Sequence, residues 1–293
     1  MSPELETECP AITFVAHAGP LEPQAVLLAA SLHEYYVPRR IVCRTAAPAE
    51  HWGALSDDVD GFLRSLGVEI VPCENPIDLD YKHGNKIGAL AGISGRALFL
   101  DTDIVLMSPF SWHHMLCGTA AAKPADVDTF SNGGGSWARV WSLFDRDVPP
   151  KIYLATVSGD LMRPYFNAGF ISVEDGDRFA AAWIEAARRI DAETAIRNKR
   201  PWLDQIALPV AFAALDWKVD ALGDAFNFPC HLAKIGSESP YFAHYHYPHV
   251  IAEQPKLAYR FRHLLAAYPP LAAILKRYEG WDALVSADAG VAA

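Results

Sequence analysis

Much about this chain of 293 residues follows from what it lacks. No Cys-x-x-Cys pair occurs among its five scattered cysteines, Cys9, Cys43, Cys73, Cys117 and Cys230, so neither a thiolate zinc knuckle nor a dithiol redox centre is encoded. Reduced, mostly buried thiols are expected, as in a cytoplasmic protein. Basic residues are in the minority, 25 Lys and Arg against 35 Asp and Glu, for a formal net charge of -10. A field of that sign repels nucleic acid and anionic membrane surfaces, and nucleic acid is not an expected partner. The opening MSPELETECP has three glutamates and no basic residue, unlike the positive start of a secretory signal. No window supplies the roughly 18 uninterrupted apolar residues of a membrane span. The expectation is a cytoplasmic protein without a transmembrane segment.

What is present is ample apolar sequence, 51% of residues, arranged in a rhythm. AITFVA, RIVCRT, VEIVPC and ALFLD read as strands. Between them PQAVLLAASLHEYY, DDVDGFLRSLG and NKIGALAGIS read as helices. Apolar strands alternating with helices imply an α/β fold with a mostly parallel, Rossmann-like sheet covered by helices on both faces. Further on, YFNAGFISV and DWKVDAL read as strands, and WARVWSLF, DRFAAAWIEAARRI and WLDQIALPVAFAAL as helices. The Ser131-to-Ser136 run SNGGGS reads either as a plain surface loop or as a lid. Residues 1–254 are expected to form the main domain, and 255–293 a helical C-terminal extension packed on it.

Within LFLDTDIVL, two carboxylates, Asp101 and Asp103, interrupt a strand that is otherwise apolar. An ionised carboxylate removed from water costs several kcal/mol unless a cation or strong donors meet it. In parallel sheets ligands bind beyond the carboxyl ends of the strands, where this pair falls. A hard divalent ion shared with substrate phosphates answers the requirement. The plain alternative is a turn cap plus a surface ion pair.

Several segments, in order, resemble the GT-A glycosyltransferases, especially family 8, which transfer a sugar from a nucleotide diphosphate with retention. ALFLDTDIVLMSPF is similar to that family's D-x-D strand. NKIGALAGIS places Lys86 where the family has a basic residue near the donor. YFNAGFISV matches through Asn167, Ala168 and Gly169, WLDQIAL through Asp204 and Gln205, AFNFP through Asn227, and AHYHYP through the histidine that supplies a metal ligand. The likeness runs from about Ile12 to about Val250, and its specificity lies in the ordered set.

The resemblance implies a GT-A fold and a transferase using Mn²⁺ (or Mg²⁺). Its metal ligands would be Asp101, Asp103 and His244, with His246 as second choice of histidine. Lys86, Asp101, Thr102, Asp103, Asn167, Ala168, Gly169 and His17 would bind the donor. Gln205 and Asp204 would support the charge that develops at the anomeric carbon. The implied partners are a nucleotide-diphosphate sugar, UDP-sugar favoured, and an acceptor that the sequence does not name.

The residues themselves allow other readings. Asn167 offers both donor and acceptor to hydroxyls, yet a glycine beside it also suits a tight bend. Asp204 is a good helix N-cap. His244 and His246, two apart on an expected strand, would point to one face, with or without a metal. Trp137, Trp141 and Tyr165 are core or sugar platform. Where the family usually shows an aspartate after the first strand, VAHAG supplies His17, and the family's lysine-proline-tryptophan segment is absent, which leaves Lys86 or Lys256 to neutralise a leaving diphosphate. A haloacid-dehalogenase-like phosphatase with Asp101 as nucleophile also fits DTDIVL. That motif normally follows a first strand, and Phe228 stands where a second late aspartate would accompany Asp224. A catalytically dead nucleotide-sugar binding protein completes the alternatives.

Overall fold

A computed structural model describes residues 10–35, 40–110 and 118–289. Cys9, Cys117 and the charge pattern of the first nine residues therefore lie outside the described residues. The chain runs through β1 (Ala11–Ala16), α1 (Leu21–Tyr35), β2 (Ile41–Ala47), α2 (Ala49–Trp52), α3 (Asp57–Ser65), β3 (Val68–Glu74), α4 (Gly84–Ile87), β4 (Ala97–Leu100) and β5 (Ile104–Leu106). It continues with β6 (Ala120–Pro124), α5 (Thr129–Asn132), α6 (Trp137–Ser142), β7 (Tyr153–Leu154), β8 (Leu161–Met162), β9 (Phe166–Val173), α7 (Gly176–Ala192), α8 (Leu203–Ala214) and β10 (Val219–Ala221). It ends with β11 (Phe228–Pro229), β12 (Phe242–His244), α9 (Pro248–Glu253), α10 (Pro255–Ala267), α11 (Pro269–Leu275) and α12 (Trp281–Ala289). The largest sheet has seven strands in the order β10-β6-β9-β4-β1-β2-β3. It is mostly parallel and flanked by helices, an α/β architecture of the expected class.

Two compact units emerge, one of residues 1–72, 100–111 and 224–293, the other of 73–99 and 112–223. In the first, β1 and β2 pair in parallel, and Ile12 and Phe14 are wholly buried, as are Val26, Leu27 and Leu28 of α1. Glu22, itself 5% exposed, satisfies the start of α1 by accepting from the Gly19 amide at 2.8 Å and also takes the Ser56 amide at 2.6 Å. A carboxylate in the first helical turn also suits the helix dipole. A three-stranded sheet, β11-β12-β5, belongs to the same unit. The Leu106 amide of β5 donates to Ser31 Oγ at 3.1 Å, and its carbonyl accepts from buried Arg260 at 2.9 Å. Both main-chain groups of Leu106, on the edge of β5 away from β12, are thus paired, as buried backbone requires.

In the second unit α7 begins at Asp175, which accepts from the Arg178 amide at 2.9 Å. It buries Phe179, Trp183, Ala186, Ala187 and Ile190 at helical spacing, the stripe that faces a core. Helix α8 is buried almost all round, which explains why its sequence shows little amphipathic contrast.

Two expectations about local structure are corrected. The stretch NKIGALAGIS forms only the single turn α4 before Gly88. Beyond it the chain continues in tighter turns, the Ala89, Ala91 and Ile93 amides donating to the carbonyls three residues back, Lys86, Gly88 and Leu90, and Gly92 takes φ +73°. The strand expected through both histidines stops at His244, and His246 adopts φ +59°. No helix among the described residues is long and apolar enough to cross a membrane.

Candidate functional site

In the first unit, strand pairing determines what stands beside the D-x-D turn. Strand β5 runs antiparallel to β12, with Ile104 opposite His244 and Val105 opposite Ala243. The Tyr245 amide donates to the Asp103 carbonyl at 3.0 Å, extending the ladder by one residue. Asp103 and His244 are thereby brought together, with Asp103 Oδ1 2.9 Å from His244 Nε2. His244 is 3% exposed.

The other nitrogen of that ring, Nδ1, lies 2.9 Å from Oδ1 of buried Asn227. A carboxamide oxygen only accepts, so Nδ1 carries a proton and Nε2 is the ring nitrogen left to face Asp103. The contact of Nε2 with the carboxylate oxygen is favourable when a proton on the ring, as in an ion pair, or a metal cation bound by both atoms lies between them. His246 turns its ring onto that of His244, centroids 3.8 Å apart and planes within 17°. Burial, and then the neighbouring His244, push its pKa down to about 2, so this imidazole is neutral and its lone pair is available.

One ligand atom each from Asp103, His244 and His246 lie within 4.8 Å of one another. The donor set, one carboxylate and two imidazoles, fits a divalent ion. Asp101, half-buried just after β4, is not part of that grouping. Thr102 faces elsewhere, donating to Gln24 Oε1 of α1 at 3.1 Å. His17 bonds its Nδ1 to the adjacent Ala18 carbonyl at 2.9 Å and lies against the Trp52 ring at 5.2 Å. Lys256 donates to the Ser237 carbonyl.

In the second unit Lys86 and Asp204 form an ion pair of 3.2 Å, their side chains 15% and 3% exposed. Tyr81 Oη donates to the Pro201 carbonyl at 2.7 Å and lies 3.4 Å from Asp204 Oδ1. Burial, with the Asp204 charge second, raises that phenol far above its ordinary range. Asp204 is not the N-cap of α8, a position held by Trp202. It lies one residue inside the helix, where its buried carboxylate meets Lys86. Gln205, next along, is half-exposed.

Asn167 Oδ1 accepts from the Gly169 amide at 2.8 Å, and its Nδ2 donates to Asp126 at 3.3 Å. Ala168 and Gly169 are buried. Asp126 also takes the wholly buried Lys123 ammonium at 2.5 Å and the Thr156 hydroxyl at 2.8 Å. Sequence reasoning missed this network, although a lysine in the apolar strand AAAKP carried the same warning as the aspartates in LFLDTDIVL. Trp137, Trp141 and Tyr165 are 6%, 1% and 0% exposed. They are core, not an open sugar platform. The described cysteines Cys43 and Cys230 are buried and Cys73 is half-buried, all as free thiols.

Comparison with solved structures finds the same fold. Galactosyltransferase LgtC, solved with donor and acceptor sugar analogues, has a TM-score of 0.52 at 16% identity, covering 88% of this chain and 95% of that one. The glycosyltransferase GlyE of Streptococcus pneumoniae TIGR4 follows at 0.48 and 13% over 80% of this chain, and mouse xyloside xylosyltransferase 1 at 0.47 and 11% over 80%. The match spans 55% of the GlyE chain and 97% of the mouse one. Comparison with curated proteins finds no match. A glycosyltransferase assignment leaves the phosphatase reading unfavoured. The model of the Rhodobacterales glycosyltransferase domain matches residues 12–216, more than half of the sequence, and the chain belongs to that family.

Proposed function

We propose that this glycosyltransferase moves a sugar from a nucleotide-diphosphate donor, UDP-sugar favoured, to an acceptor with retention of configuration, as a family 8-type enzyme dependent on Mn²⁺ or Mg²⁺. The observation that carries the metal dependence is the 2.9 Å approach of His244 Nε2 to Asp103 Oδ1 while Asn227 occupies the other ring nitrogen. Asp103, His244 and His246 would hold the ion, with Asp101 joining through the mobility of its side chain or through water. When bound, the ion supplies Lewis-acid neutralisation of the departing diphosphate.

The chain's own residues would do the rest. Asn227 holds the His244 ring in one tautomer and orientation, the task of an outer-shell partner. Thr102, anchored on Gln24, keeps the D-x-D turn in place. Lys86 fixes the Asp204 carboxylate, and the amide of Gln205 would face the anomeric carbon as positive charge develops there. Asn167, held through its bonds to the Gly169 amide and Asp126, would lie beside the donor sugar, and Ala168 and Gly169 allow a backbone to approach closely. His17 would meet the nucleotide. In this reading residues 1–254 form the catalytic domain, 255–293 its helical extension, and the enzyme acts in the cytoplasm.

A thermal-shift panel of nucleoside diphosphates and nucleotide sugars, with and without Mn²⁺, tests the proposal. A uridine nucleotide should stabilise the protein strongly only when the ion is present. Equal shifts with and without Mn²⁺ would contradict it.

A further inference from the structure

Beside the Asp103, His244 and His246 grouping stands a third imidazole that neither the family pattern nor local spacing singles out. His231 is exposed, and its ring centroid lies 3.7 Å from that of His246, the planes at 48°. A histidine at a surface is ordinarily free to wander, but the turn that carries this one is held at several points. The Cys230 amide donates to the His244 carbonyl at 2.9 Å. Gln254, with no exposed surface, donates to the Cys230 and Ala233 carbonyls at 2.7 Å each and accepts from the Ile235 amide at 3.0 Å. Leu232 and Ala233 both donate to the Pro229 carbonyl, at 2.9 and 3.0 Å. One buried carboxamide therefore pins the His231 turn beside β12, the strand that ends in His244.

His246 is held from the other side by its backbone. A residue with a side-chain carbon pays for φ +59° unless its surroundings demand it. Here the left-handed turn swings the ring back over His244 and under His231, so three imidazoles lie in a row at the edge of one carboxylate.

We propose that His231 joins Asp103, His244 and His246 to make a four-ligand, imidazole-rich site that takes a zinc-class divalent ion, such as Zn²⁺ or Co²⁺, in the absence of any nucleotide. The inference rests on the reading that this cluster holds an ion, and it adds a ligand and a class of ion to it. A site of carboxylates alone leaves most positions to water and substrate phosphate, and the ion arrives with its nucleotide. Three imidazoles and a carboxylate suffice to hold a four-coordinate ion from the protein itself, and such a site expands or gives up a ligand such as the exposed His231 when a phosphate oxygen arrives. A rotation of the exposed His231 side chain is the movement required. Tighter binding of zinc than of manganese would not by itself distinguish the two, since nearly every nitrogen and oxygen site follows that order. Independence from nucleotide, and dependence on His231, do.

The test uses the full chain, stripped with a chelator and dialysed, titrated with Co²⁺ alone and followed by visible absorption, then back-titrated with Zn²⁺. The expected result is an intense tetrahedral-type ligand-field band without nucleotide, abolished by Zn²⁺, with affinity weakened on the order of tenfold or more in both His231→Gln and His231→Ala. Because His231 is exposed, melting of the stripped variants should match the wild type, and the comparison reads binding rather than folding. Wild-type affinity and spectrum in both variants would overturn the role of His231. Failure of Co²⁺ to bind without nucleotide, while Mn²⁺ binds together with UDP and is lost in Asp103→Asn, would overturn this inference and leave the proposed function standing. No ion bound under either condition would remove both.

Discussion

Asn227 Oδ1 and His244 Nδ1 lie 2.9 Å apart with both residues buried, and this bond decides which nitrogen of His244 faces Asp103. Replacing Asn227 with Ala removes the acceptor and frees the ring. The expected result is a loss of metal affinity of roughly tenfold to a hundredfold, the usual cost of an outer-shell partner, together with about 1–3 kcal/mol of stability from an unsatisfied buried group. Calorimetric titration of the ion with nucleotide present, beside a urea melt, measures both. An unchanged affinity would mean that the ring is oriented by something else.

Lys86 and Asp204 predict a stability effect that does not pass through any ligand. Asp204 is 3% exposed in its side chain, and Lys86→Met leaves its carboxylate without that cation. Breaking a buried pair from one side costs about 3–5 kcal/mol, whereas replacing both partners by apolar residues is often nearly neutral. Urea denaturation should show Lys86→Met well below the Lys86→Met, Asp204→Leu double variant. Equal losses in the two would contradict the pairing.

A pH dependence follows from His246. Its folded pKa, about 2, lies below the ordinary value near 6.5 for an unfolded histidine. The unfolded chain binds the proton more readily, so this group's contribution to stability is present above about pH 6.5 and is lost progressively as pH falls toward the folded value. Chelator-treated wild type should lose melting temperature between about pH 8 and about pH 5 more steeply than His246→Gln. Parallel curves would show that the ring is solvated and titrates normally.

Gln205 gives a kinetic prediction. If its amide supports charge that develops only in the transition state, Gln205→Ala lowers kcat by on the order of a hundredfold and leaves KM for the donor nearly unchanged. A raised KM with kcat preserved would recast it as a simple binding group.

The parts of this molecule that sequence reading reached are those governed by local rules. Strands of unbroken apolar residues, such as ITFVA and ALFL, announce a sheet buried on both faces, and the carboxylates after β4 stand out against them. The placement of Asp101 just beyond a strand end follows from the same pattern. What local rules miss is decided by approach between distant segments. After Ile87 the amides turn to carbonyls three residues back, so a helix that reads well in the sequence stops after one turn, and Gly88 packs closely against Cys73 and Glu74. The two-residue spacing of His244 and His246 suggests a common strand face, but a left-handed residue brings their rings together instead. Lys86 finds Asp204 and His231 finds His246 across long sequence separations, with no periodicity to signal either meeting. Lys123 is a different case. A lysine amid alanines on β6 is legible as a buried charge in need of a partner, and only the partner, Asp126, required the fold.

In the proposed function a divalent ion held by Asp103 and His244 joins this enzyme to the diphosphate of its donor. Titration of UDP into wild type and Asp103→Asn by calorimetry, each with and without Mn²⁺, tests it most directly. Mn²⁺ should tighten UDP binding to the wild type by at least about tenfold, or about 1.4 kcal/mol, and should do nothing for the variant. Binding of UDP that is equally tight in all four titrations would contradict it.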